Sequence, residues 1–281
     1  MSKASKVVHY DNKGFNFDLK KVENMYLNPV TGVMQPTGLQ SIVNDQNGAH
    51  IATMGAKYEL FTNAKFQDFC ETIAEKLGTE INHYTSKNNG ATVICGIKKP
   101  AVSVAGFSLD RFITVVDNRQ GRKPLQVRTT THMPRCANLE SAGTLFQKLF
   151  HNASLPMMID WFFSIFEKIE IEDAKHIEMM NRYANIKVDA TLIEKAKNFI
   201  LEVNQHETLT TTAANKLLLF DESVRHENVF AGTLFHTIAS STHFATHNLN
   251  VSQKFDIRNF PIDGKAQKIT KRAFDFCEMH A

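Results

Sequence analysis

The sequence predicts an α+β fold: an antiparallel β-meander flanked by helices, followed by a mainly helical C-terminal half. Three observations point there. Phe66, Phe69, Cys70, Ile73 and Leu77 recur at helical spacing. Thr-, Val- and Ile-rich segments then run between residues 91 and 131, each bounded by turn residues. From Pro156 onward, long apolar stretches and acidic runs replace that alternation. The chain has 281 residues, 43% of them hydrophobic, so it can bury a sizeable core and extensive disorder is excluded.

Residues 1–50 are rich in Asn, Gly, Gln and turn pairs such as Asn47-Gly48, and read as an N-terminal arm or a set of short strands. An α+β core with a basic sheet follows over 51–153. Asn63 is the expected N-cap of its first helix, and Gly78 can end that helix in a left-handed conformation. Strands are expected over Ala91 to Ile97, Arg111 to Val116 and Leu125 to Thr131, and a helix from about Leu139 to Phe150. Residues 154–250 read as a helical region, with Pro156 in its first turn and acidic Glu167, Glu170, Glu172, Asp173 and Glu178 after it. The tail, 251–281, returns to positive: Lys254 to Arg272 holds six basic residues against two aspartates.

Charge is concentrated rather than spread. The net charge is only +3, yet Lys98 to Arg135 carries eight basic residues against two acidic ones. Lys98, Lys99, Arg111, Arg119, Arg122, Lys123, Arg128 and Arg135 are therefore the candidate phosphate contacts of a polyanion-binding groove, with Tyr84, Phe107 or Phe112 as the aromatic on which a base would stack. Each has a plainer role beside that one. Phe107 and Phe112 fit a buried face, Arg135 and Asn138 fit a brace at a strand-to-helix junction, and Cys136 fits core packing.

Other classes lack their signatures. Cys70, Cys95, Cys136 and Cys277 are far apart and read as reduced thiols of a cytosolic protein. No signal peptide or membrane span is expected. Phosphate-binding loops, the dinucleotide glycine fingerprint and the hydrolase elbow are absent, so no catalytic residue, cofactor or metal is expected and the chain is not read as an enzyme. His236, His243 and His247 lie at i, i+7 and i+11, with metal-ligand spacing in the last pair, and His226 or Asp256 as further candidates. That pair lacks the glutamate of a zinc-protease helix, so interhelical hydrogen bonds or surface exposure are the expectation. Glu170, Glu172 and Asp173 likewise read as a wet helix face rather than a magnesium-dependent nuclease.

Three blocks carry a resemblance: Met54 to Phe66, Thr129 to Leu139 with its Arg135-Cys136-Ala137-Asn138-Leu139 piece, and Ala231 to Phe235 with Ala239 to His247. Together they resemble a large phage- and plasmid-encoded family of unknown function. The glycine pair and the Asp-Gly turn of that family are missing from the middle of this chain. The order helix, three-strand meander, helix also resembles the core of the ring-forming annealing proteins related to Rad52. That resemblance implies a sequence-independent single-stranded DNA-binding protein of bacteriophage replication or recombination, a homo-oligomer in the cytoplasm of a bacterial host, with strand annealing as a possible extension. The alternative is a phage structural or host-interaction protein that does not bind nucleic acid.

Overall fold

The computed structural model describes residues 7–121, 124–133, 138–140, 145–203, 210–248 and 265–281. Its ten strands and seven helices divide between two compact units. The first comprises Met1–Lys99, Phe112–Arg128 and Leu145–Ile169, and the second Pro100–Arg111, Thr129–Thr144 and Glu170–Ala281. The units interleave along the chain, whereas the boundaries expected near residues 50, 153 and 250 were single cuts.

One antiparallel sheet has the order β1 (Val7–Tyr10), β5 (Ile81–Lys87), β6 (Thr92–Val104), β7 (Phe107–Asn118), β8 (Leu125–Met133), β10 (Leu145–Leu149), with β9 (Asn138–Glu140) also paired to β8. In the first unit, helices α1 (Asn63–Lys76) and α2 (Leu155–Ser164) lie on one face of this sheet. Phe66, Phe69, Cys70 and Ile73 of α1 and Phe162 of α2 form one core with Tyr84, Val93, Cys95, Ile97, Ile113, Val115, Leu125, Val127 and Leu149. The helical spacing of the α1 set and the alternation of the strand set meet in that core.

The first helix ends as expected, with Gly78 at φ +60°, a conformation that favours glycine. Its N-cap is Thr62 instead of Asn63: the Thr62 hydroxyl accepts from the Lys65 amide at 3.3 Å. Asn63, one residue later, is thereby released for a tertiary role. The helix expected over 139–150 is instead two short strands, β9 and β10. Backbone groups of β8 need partners, and the Leu149 to Leu125 register places Leu149 in the core beneath α1 and α2.

A second sheet, β2 (Leu19–Leu27), β3 (Met34–Asn44), β4 (His50–Gly55), belongs to the same unit. Leu19, Ile42, Ile51, Leu60 and Ala91 close a small core at its base. The far end of the β2–β3 hairpin has no such cover: Val22, Leu27, Val30, Val33 and Met34 are exposed, Val30 by 91%.

The second unit holds α3 (Phe166–Asn185), α4 (Ala190–Leu201), α5 (Thr211–His226), α6 (Phe235–His243) and α7 (Lys265–Met279), the first of them beginning in the other unit. Their core gathers Met180, Tyr183, Ile200, Phe220, Phe235, Ile238 and Phe276 with Val104 and Leu109 of the β6–β7 hairpin. Ala105 and Gly106 turn that hairpin with φ of +53° and +80°, the primed geometry that matches strand twist. No helix among the described residues is long and apolar enough to cross a membrane.

Candidate functional site

Strand alternation sorts the predicted contacts into two groups. Lys99, Arg111 and Arg119 share the parity of Ile97, Ile113 and Val115, so they do not face the same way as Lys98, Phe112 and Arg128. The continuous track expected of all of them is therefore not what the sheet builds.

Arg119 is completely buried. Its Nε donates to Asp117 Oδ2 at 2.9 Å, its Nη1 donates to Asn63 Oδ1, and its guanidinium lies 5.8 Å from the Phe66 ring centre. Asn63 Nδ2 in turn donates to the Phe17 carbonyl at 2.7 Å. The group tying the start of α1 to the end of β7 is thus an arginine whose charge is used internally. Burial alone would raise the Asp117 carboxyl, but the Arg119 charge and His151, whose Nε2 lies 2.7 Å from Oδ1, hold it below its ordinary value. Tyr58 stacks on His151 at 5.3 Å, and burial with the nearby Asp117 charge pushes its phenol well up.

Arg111, in the second unit, is also withdrawn from solvent and donates to the buried Asp173 of α3. Lys99 is 5% exposed, and Tyr84 is a core side chain at 1%. These four, and Arg128 at 3% exposure, are corrections to the expected surface. A phosphate cannot reach a guanidinium that is buried against its own carboxylate, nor a base stack on a ring enclosed by Phe15 and Phe66. Asp173, expected on a wet helix face, is buried for the same reason. Arg122, Lys123, Arg135 and Cys136 lie outside the described residues.

The opposite sheet face of the first unit keeps Lys98, Phe112 and Arg128. Lys98 is exposed and Phe112 half-buried. Arg128 is recessed beside Gln126, to which its Nη2 donates at 2.7 Å, and burial draws its pKa down to about 10. Sequence reasoning missed Lys148, because a helix was expected there. In β10 it pairs with Gln126 and so joins this same face, exposed, while Leu149 turns inward. Lys87 of β5 shares the face too, through its register with Thr92. At the sheet centre Gly96 leaves room for the His83 ring, which stands 2.5 Å from where a Cβ would be.

No protein-family model, curated protein or solved structure matches this chain. What the site can do is argued from its own chemistry. Positions of this parity in the first unit's part of β5 to β8 and β10 hold Lys87, Lys98, Arg128 and Lys148, the half-buried Phe112, His83, Ile94, Val116, hydroxyls and amides, while Asp110 precedes Phe112 by two residues on β7. Phe107, the remaining aromatic candidate, packs edge-on against Phe230 at 4.9 Å in the second unit, in the core role foreseen for it.

Proposed function

We propose that this chain binds single-stranded DNA without reading its sequence, through the face of the first unit's sheet turned away from α1 and α2. The observation that carries this reading is the pair of exposed lysines, Lys98 on β6 and Lys148 on β10, on one face with Phe112 on an intervening strand. Exposed lysines neutralise phosphates, and an aromatic ring accepts any base, which gives affinity without sequence preference. Arg128, recessed between them, adds positive potential from below. A phage or plasmid origin, a role in replication or recombination, and annealing of bound strands belong to the same proposal.

One observation favours a second reading, an assembly or host-interaction protein without nucleic-acid affinity. The β2–β3 hairpin displays Val22, Met25, Tyr26, Leu27, Val30, Val33, Met34 and Leu39 to solvent, more apolar surface than a lone hairpin tip retains without a partner. The two readings also combine in an oligomer that presents several sheet faces to one strand.

Titration of labelled single-stranded and duplex DNA at two salt concentrations tests the first reading. Salt-sensitive capture of single strands, indifferent to sequence and weakened by joint Lys98→Glu and Lys148→Glu replacement, is expected. Absence of binding at low salt would leave only the hairpin reading.

A further inference from the structure

The histidines of the second unit come together in a way their sequence spacing did not show. His236 and His243 make interhelical hydrogen bonds, as expected: His236 Nε2 donates to the Val224 carbonyl at 2.9 Å, and His243 Nδ1 lies 3.1 Å from Ser223 Oγ. What was not expected is Glu227, which joins His226 and His243 at the end of α5. His226, Glu227 and His243 each bring a ring nitrogen or carboxylate oxygen within 4.8 Å of the others. The set differs from the His243 and His247 pair suggested by spacing, because Glu227 caps α5 directly beside His226 and opposite α6.

We propose that His226, Glu227 and His243 form a binding site for one divalent cation of the zinc type. The donors suit such an ion: two imidazoles and a carboxylate are the ligand types of borderline metals, and three of them leave a fourth tetrahedral position for water. The distances suit it as well. Metal–ligand bonds of about 2.0–2.2 Å place neighbouring tetrahedral donors roughly 3.3 Å apart, and His226 Nδ1 and Glu227 Oε1 stand 2.9 Å apart. The His226 and His243 rings are stacked at 4.1 Å and tilted by 26°, so the His226 ring must splay outward to bind. Its side chain is 49% exposed and free to do so, while that of Glu227 is fully buried and fixed.

The surroundings prepare the donors. Ser223 donates its hydroxyl hydrogen to the Leu219 carbonyl at 3.1 Å, so its oxygen accepts from the Nδ1–H of His243. That bond sets the tautomer and leaves Nε2 as the nitrogen with the lone pair, the outer-sphere arrangement that orients metal-binding imidazoles. The helix after His243 loosens into a π-helical turn, Phe244–Asn248, a distortion frequent at functional sites. It carries His247, whose ring centre lies 4.7 Å from that of His243 at the exposed edge of the group. Entry is from the His226 side, where the ring is half exposed. All of these residues lie in the second unit, so the site stands independently of the DNA-binding reading.

The test uses the full chain, stripped with a chelator and dialysed. Zinc is then titrated in competition with a chromophoric indicator, and cobalt(II) is added separately to read coordination from its visible absorption. One equivalent of zinc per chain is expected, with a cobalt spectrum of low coordination number. His226→Ala, at an exposed position that leaves the fold intact by circular dichroism, weakens zinc by about a hundredfold or more, and His243→Ala does the same. His50→Ala, in the other unit, changes nothing. Failure to take up one equivalent, or uptake unchanged in His226→Ala, would overturn the site.

Discussion

Arg119 and Asp117 stand two residues apart at the end of β7 with no solvent exposure, joined by a 2.9 Å hydrogen bond from Nε to Oδ2. One of the arginines expected to contact phosphate is instead the clasp between the strand and the first helix, through Asn63. Removing one buried charge leaves the other uncompensated. Arg119→Leu is expected to lower stability by about 3–5 kcal/mol, read as a shifted midpoint in urea unfolding. Joint replacement of Arg119 and Asp117 by apolar residues loses less than the two single changes summed, and a double-mutant cycle measures the difference.

Acid sensitivity follows from a buried carboxylate and from buried histidines. The Asp117 carboxyl titrates below its ordinary 3.8 in the folded chain, because burial, which would raise it, is outweighed by Arg119 and His151. The unfolded chain therefore takes up this proton first, so the contribution is complete above pH 3.8 and is lost as pH falls through the folded value. His176 is lowered from 6.5, first by burial and also by the Arg111 charge, against the opposing pull of Asp173. Its contribution has the same sign but starts to fall nearer pH 6.5. Thermal unfolding across pH should show stability declining from about pH 6.5 downward, and His176→Gln should remove only its own share of that decline, because burial lowers His236 and His243 as well.

Much of this architecture was readable in the chain. The α1 stripe, the three central strands and the Pro156 start of the helical half each rest on a local period or breaker, and local signals survive folding. Lys148 was not readable, because Leu145 to Leu149 has no pattern strong enough to resist the pairing demand of β8. The arginines failed for a different reason. Lys98, Phe112 and Arg128 differ from Lys99, Arg111 and Arg119 by the parity that decides which side of a strand they occupy. That parity is visible in the sequence, but the density of basic residues does not show it. Only the folded chain shows that Asp173, Asn63 and Asp117 await the second group.

The hairpin invites a test separate from DNA. Val30 is 91% and Leu27 60% exposed, so replacing both by Asp removes no core contact. Stability should stay within about 0.5 kcal/mol per change. If this hairpin joins copies of the chain, sedimentation velocity will show the doubly substituted protein shifted to smaller species. An unchanged distribution assigns the exposed apolar residues to another partner.

Lys98 and Phe112 should act on DNA in different ways, and salt separates them. Each lysine that neutralises a phosphate of a single strand contributes about 0.7 to the slope of log affinity against log salt. Joint Lys98→Gln and Lys148→Gln replacement should therefore flatten that slope by roughly 1.4. Phe112→Ala removes a stacking surface worth about 1–3 kcal/mol and should weaken binding equally at every salt concentration, leaving the slope alone. Arg111→Met, at a buried site paired with Asp173, should change neither slope nor affinity in protein that remains folded. Anisotropy titrations of the three variants distinguish a sheet-face site from diffuse attraction, since a diffuse attraction would lose slope with any cation and nothing with Phe112.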